Sequence, residues 1–249
     1  MKTTIAPRIA LYIQPSFRVP GRARCFSGTP FAIKVQRILQ HKKLAFDVRE
    51  VAWTEREQQL SRMSTARKLP VLDFDGSLIE DSTVIAHFLE ERHPVPPLIP
   101  LDPVRRALCH FLEEWADEVL YWYGIYEQRR ISPPELVANA YFAELPEALR
   151  PIASEALAKA VEENLDRQGI GRYPVEKVKA DVRRGLDSLV SLIDAEGWAA
   201  GPELTLADIA LFGQLQRRLA GTNPWLEEEF AARPVLGEWL ARVDRATSA

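Results

Sequence analysis

The chain has 249 residues, 47% hydrophobic and 27% charged, with a formal net charge of -3. That length supports two packed cores or one large one without disulfides or metals, and the composition is that of a folded protein rather than a disordered or collagenous one. No run approaches the roughly 18 apolar residues that a membrane span demands. The charge offers nucleic acid no overall attraction, and two cysteines, Cys25 and Cys109, are too few for a disulfide framework or a zinc cage. The expectation is a protein of a reducing, cytoplasmic setting, with no integral membrane association, no nucleic-acid partner and no metal.

Charge is uneven at the start: no Asp or Glu precedes Asp47, whereas Lys2, Arg8, Arg18, Arg22, Arg24, Lys34, Arg37, Lys42 and Lys43 all do. Organelle transit peptides share that bias, but Pro7, Pro15 and Pro20 interrupt any long amphipathic helix, and Ile9-Ala10-Leu11-Tyr12-Ile13 reads as a buried strand. Structure is favoured over targeting. Residues 15 to 29, rich in Pro, Gly and Ser, read as a long exposed loop. Pro30 suits a first helical turn, and Phe31, Val35, Ile38 and Leu39 recur at helical spacing, predicting a helix over about 30–42.

Phe46, Val48 and Val51 then alternate with Asp47, Arg49 and Glu50 as a half-buried strand would, which completes a β-α-β unit with parallel strands. Residues 54 to 67 are polar and weakly periodic, as in a short surface helix. Pro70 to Phe74 and Ser77 to Ile79 flank Asp75-Gly76, a dipeptide suited to a tight hairpin turn. Asp81-Ser82 opens a further helix, with Val84, Ile85, Phe88 and Leu89 on one face and an end before Pro94.

Five prolines, Pro94, Pro96, Pro97, Pro100 and Pro103, make residues 94–103 a stiff linker between a first domain over 1–93 and a second over 104–249. Past it, strand signals vanish and stripes such as Val175, Val178, Val182, Leu186, Leu189 and Ile193 dominate. The order implies an α/β domain followed by an all-α domain.

Four landmarks along this pattern resemble the glutathione transferase superfamily: Thr29-Pro30-Phe31-Ala32, Lys68-Leu69-Pro70-Val71, Asp81-Ser82 and the capping box Thr205-Leu206-Ala207-Asp208. The resemblance implies a thioredoxin-like glutathione-binding domain, an all-helical C-terminal domain, a cis Pro70, a homodimer, and transfer of glutathione to a small hydrophobic electrophile. Glutathione brings two carboxylates, an ammonium and a thiol, each of which needs a partner. The tip of the helix opening at Pro30 carries partial positive charge and unpaired N–H groups, which favour a thiolate there. Thr29 is the candidate donor to that sulfur. Its hydroxyl does not ionise near neutrality, so it stabilises the anion and is not the base.

Thr29 is also the plain N-cap that a proline-led helix would have anyway, and Cys25, Ser27 and Tyr12 stay open as alternatives. In the same scheme Leu69 pairs its backbone with the cysteinyl part of the ligand, and Ser82 with the amides after it receives the γ-glutamyl carboxylate. Asp81 takes the ammonium and Lys68 the glycyl carboxylate. An Asp-Ser pair that merely caps its helix is the alternative for those two positions. Trp115, Tyr121, Trp122, Tyr123 and Tyr126 fall where the superfamily partly forms its electrophile site, although aromatic stripes more often pack a core.

A narrower likeness joins Leu11-Tyr12, the long Pro-bearing loop, Thr29-Pro30-Phe31 and Gly169-Ile170-Gly171-Arg172 to the metaxin-like and failed-axon-type branch. Several of its members are adaptors or import components, which sets a non-catalytic scaffold against the transferase reading. Thr29 stands where Ser or Cys is usual, Leu69 where Val is, Asp81 where Glu or Gln is, and Ala32 where that branch often has Cys.

Overall fold

The computed structural model describes residues 7–18, 25–26, 28–52, 54–142, 145–219 and 221–248. Its first half runs β1 (Ile9–Ile13), β2 (Phe17–Arg18), β3 (Cys25–Phe26), α1 (Pro30–His41), β4 (Asp47–Glu50), α2 (Arg56–Met63), β5 (Val71–Phe74), β6 (Ser77–Glu80) and α3 (Ser82–Arg92). Four strands form one sheet in the order β4-β1-β5-β6, with β1 parallel to β4 and antiparallel to β5. The β5–β6 turn has positive φ at both Asp75 and Gly76, the geometry that matches hairpin twist.

Two expectations are corrected here. The segment 15–29 is not all loop, because β2 and β3 pair as a short hairpin within it. Strand β4 is not half-buried: all four of its residues are exposed, Val48 included, and only the flanking Phe46 and Val51 reach apolar clusters. As the sheet's outer strand, β4 is paired on one side only, so alternation of residue type there has no covering layer to act on.

The second half is helical: α4 (Pro103–Glu114), a π-helical stretch (Trp115–Leu120), α5 (Tyr121–Arg130), α6 (Pro134–Tyr141), α7 (Arg150–Gln168), α8 (Val175–Glu196), α9 (Leu206–Arg218), α10 (Pro224–Ala231) and α11 (Pro234–Thr247). The stripe Val178, Val182, Leu186, Leu189, Ile193 is buried, as its spacing predicts. Thr205 and Asp208 form the capping box of α9. Asp208 does more than cap, since its other oxygen accepts from the Ala199 N–H at 2.8 Å and the Trp239 indole N–H at 2.9 Å, tying three parts of the helical core together.

Helix α9 is the element that joins the halves, lying along α1 on one side and α4 on the other. The approach is close because of Gly213: a Cβ there would stand 2.7 Å from the Pro30 carbonyl oxygen. Gly213→Ala should therefore force α1 and α9 apart and lower stability by about 1 to 3 kcal/mol. Gly237, exposed in α11 with open space around it, is the control, and Gly237→Ala should stabilise by up to ~1 kcal/mol through helix propensity. Urea unfolding of both variants checks the opposite signs.

Candidate functional site

Register alone gathers most of the candidate residues. Val71 pairs with both Tyr12 and Glu80, so Pro70, just before β5, and Asp81, just after β6, flank the same end of the sheet, beside the end of β1. Helix α3 starts there, and α1 packs on α3. A contact between their first turns fixes the pair: Lys34 Nζ donates to Thr83 Oγ1 at 3.0 Å. The tips of α1 and α3 and the loop before β5 thus share one edge of the sheet.

Thr29 is the N-cap of α1, in extended backbone, and its Oγ1 accepts from the Ala32 N–H at 3.1 Å. That bond uses a lone pair and leaves the hydroxyl hydrogen, so capping and donation to a sulfur are compatible in one side chain. Pro30, with no N–H, occupies the first helical position. Of the alternatives, Tyr12 has its hydroxyl accepting from Arg49 at 2.9 Å and its ring packed on the cluster of Val51, Leu60, Leu69 and Val71. Ser27 and the side chain of Cys25 lie outside the described residues.

The Leu69–Pro70 peptide is cis. Leu69 is buried in that same small cluster, whereas the Lys68 side chain is exposed. The loop carrying them is strutted from the sheet: Glu80 Oε2 accepts from the Ser64 hydroxyl at 2.6 Å and the Ala66 N–H at 3.1 Å, and Ser64 Oγ accepts from the Lys68 N–H at 3.2 Å. The Ser64 hydrogen bond, with those from the backbone, holds the Glu80 carboxyl below its ordinary pKa. At the start of α3, Asp81 Oδ1 accepts from the N–H groups of Thr83 and Val84 at 2.9 and 3.1 Å. Asp81 is thus the cap and Ser82 the first helical residue, buried beneath it.

Sequence reasoning missed the centre of the interface. Lys34 is buried, and its ammonium also pairs with Glu113 and, at 2.7 Å, with Asp117, while Thr83 Oγ1 donates to Glu113 at 2.6 Å. Burial works against the Lys34 charge, but Asp117 and Glu113 outweigh it and hold its pKa above the usual lysine value. Burial pushes the Asp117 carboxyl up, against the pull of Lys34. The available signal was a charge set directly between Ile33 and Val35 in an amphipathic helix, with two acids spaced four apart further along the chain.

The aromatic candidates divide. Tyr126 is buried and donates to the Tyr173 carbonyl at 2.8 Å, and Trp115 packs against Gly185. Trp122 and Tyr123 line a cavity of about 460 Å³ with Tyr173 and Lys177, wholly within the helical half. Tyr121 reaches α1, its ring centroid 5.0 Å from that of Phe31.

Residues 26–97 match the glutathione S-transferase N-terminal domain family. Chain-wide, similarity is 24% identity over 86% of this chain and 91% of the isoprene-epoxide glutathione S-transferase of Rhodococcus sp. strain AD45. Against the chloroplastic glutathione S-transferase DHAR3 of Arabidopsis thaliana identity is 30%, over 38% of this chain and only 36% of that protein's length. A glutathione S-transferase structure from Rhodospirillum rubrum F11 superposes with a TM-score of 0.63 at 23% identity, covering 95% of this chain and 87% of the other. The fold is a thioredoxin-like domain followed by a helical domain, as in the glutathione S-transferase structures it resembles, and residues 26–97 carry the match to that family's N-terminal domain. Among the described residues, no helix is long and apolar enough to cross a membrane.

Lys34→Met should cost about 3 to 5 kcal/mol near neutral pH, because two carboxylates lose their buried cation. A carboxyl whose folded pKa lies above its unfolded value favours the fold below the unfolded value and ceases to as pH rises through the folded one. Without Lys34 the Asp117 pKa climbs further, so the variant's deficit should shrink toward about pH 5 and widen toward about pH 8. Urea titrations of both proteins across that range test the sign.

Proposed function

We propose that the chain binds glutathione at the shared edge of the sheet and ionises its thiol at the tip of α1 for transfer to a small hydrophobic electrophile. The observation that carries this reading is the Thr29 hydroxyl at a proline-led helix start, on the same edge as the cis Leu69–Pro70 loop and the α3 tip. The helix field and the Thr29 hydrogen bond favour the thiolate, and the thiol proton leaves to solvent. The sulfur lone pair then forms a C–S bond as the electrophile's C–O or C–halogen bond breaks, and the leaving oxygen or halide carries off the electron pair.

Leu69 offers its backbone to the cysteinyl amide, Ser82 and the first amides of α3 receive the γ-glutamyl carboxylate, Asp81 meets the ammonium, and Lys68, exposed at the rim, meets the glycyl carboxylate. Tyr121 and Phe31 present aromatic surface beside the sulfur position. A homodimer fits the exposed apolar side chains Val84 on α3 and Val104 and Phe111 on α4, helices held adjacent by the stacked rings of His87 and His110. The rival reading is a scaffold that keeps the fold with an idle site; the unusual Thr29, Leu69 and Asp81 favour it.

Isothermal titration with glutathione decides whether the site binds, and no heat at millimolar ligand would sink the proposal. Thr29→Ala should lose most of the thiolate absorbance of bound glutathione while changing affinity little, with Thr29→Ser retaining it. The same alanine variant should lose about 1 kcal/mol of stability as an N-cap. Equal thiolate signal in wild type and Thr29→Ala would return Thr29 to a purely capping role.

A further inference from the structure

Two sequence features take no part in the glutathione reading: the aromatic residues Trp122 and Tyr123 and the segment Gly169-Ile170-Gly171-Arg172. The fold brings both to one cavity of about 460 Å³, a size that suits a small organic ligand. Every residue lining it lies at Glu118 or beyond, so it is separate from the sheet edge that holds Thr29, Pro70 and Asp81. Its lining includes the buried apolar side chains Ile170 and Val178. Three rings complete it, Trp122 and Tyr123 from α5 and Tyr173 from the turn before α8.

That turn is held in place from within the helical half. Gly169 ends α7 at a φ of 99°, a left-handed conformation that glycine adopts without strain. Gly171 lies so close to the end of α7 that a Cβ would stand 3.0 Å from the Leu165 carbonyl carbon. The Tyr126 hydroxyl then fixes Tyr173 by donating to its carbonyl at 2.8 Å. The cavity is therefore built by the fold and needs no ligand to form it.

Four charged residues line it: Glu118, Arg172, Lys177 and Asp181. Three of them are engaged. Asp181 accepts from Lys177 at 2.6 Å and also pairs with Arg184. Arg172 donates to the Asp166 carbonyl at 3.1 Å in the last turn of α7, where the helix carries partial negative charge. Glu118 has no hydrogen bond or ion pair among the described residues, so the charge left over in the lining is negative. The rings already receive an ammonium, since Lys177 Nζ stands 4.2 Å from the ring centroid of Tyr173.

We propose that this cavity is a second binding site and takes a flat aromatic amine, its rings receiving the aromatic part and Glu118 the ammonium. An ammonium gains from both the carboxylate and the ring faces. A ligand carboxylate would instead meet Glu118 with like charge. The proposal does not depend on the glutathione reading, because no residue is shared between the two sites.

Calorimetric titration with three probes of nearly one shape tests it: 2-(1-naphthyl)ethylamine, 2-(1-naphthyl)ethanol and 1-naphthylacetate. At neutral pH wild type should bind the amine about fivefold more tightly than the alcohol, and the carboxylate most weakly. Glu118 is exposed, so Glu118→Gln should fold normally, bring the amine down to the affinity of the alcohol and leave the alcohol unmoved. Tyr173→Leu should weaken amine and alcohol together. Saturation with glutathione should change none of these affinities. No heat from the amine at millimolar concentration, equal affinities for the three probes, or an amine preference that survives Glu118→Gln would each overturn the proposal. Displacement of the amine by glutathione would make the cavity part of the glutathione site and overturn it as well. A protein that binds the amine but no glutathione would defeat the glutathione reading and leave this one standing.

Discussion

A single buried ammonium holds the working parts of this protein in register. Lys34 Nζ meets Thr83 at the start of α3, Glu113 at the end of α4 and Asp117 in the π-helical stretch that follows. Those partners come from both halves of the chain, so one side chain sets where the tips of α1 and α3 stand relative to the helical half. A buried cation tolerates little displacement, because each lost partner leaves charge without compensation in a medium that solvates it poorly. That directional demand fixes geometry in a way that the surrounding apolar contacts, which are non-directional, do not.

Around that anchor the tip of α1 is shaped from two sides. The sheet supplies the backbone features: the cis Leu69–Pro70 loop, strutted by Ser64 and Glu80, and the Asp81-capped start of α3. The helical half supplies the Tyr121 ring beside Phe31, and Gly213 lets α9 lie directly on Pro30. Polar backbone groups on one side and aromatic surface on the other are the features on which the proposed glutathione site rests. Thr29 stands at the junction, its oxygen accepting from the Ala32 N–H at the start of α1.

Much of the first half was legible in order and type because its signals are local. Pro30 at a helix start, Asp75-Gly76 at a hairpin and Asp81 before a helix act through the dihedral angles and hydrogen bonds of their own few residues. The misreadings have separate causes. Strand β4 alternates in sequence yet lies exposed, because alternation records which residues could be buried and not whether a layer arrives to cover them. The β2–β3 pair went unseen because two-residue strands carry no periodicity. The aromatic run from Trp115 to Tyr126 does not sort itself, since the π-helical stretch shifts the angular phase of every residue after it.

Residue order by itself therefore determined the succession of an α/β unit and a helical one, the capped helix starting at Pro30, the hairpin, and the landmarks at Thr29, Pro70 and Asp81. These follow from short-range sterics and hydrogen bonding, which need no knowledge of the rest of the chain. Only the tertiary structure decided that Lys34 is buried between two acids, that Glu80 braces the loop at Pro70, and that Tyr121 meets Phe31 at the start of α1. Those facts join residues as far apart in the chain as Phe31 and Tyr121, and such contacts arise from how whole elements pack.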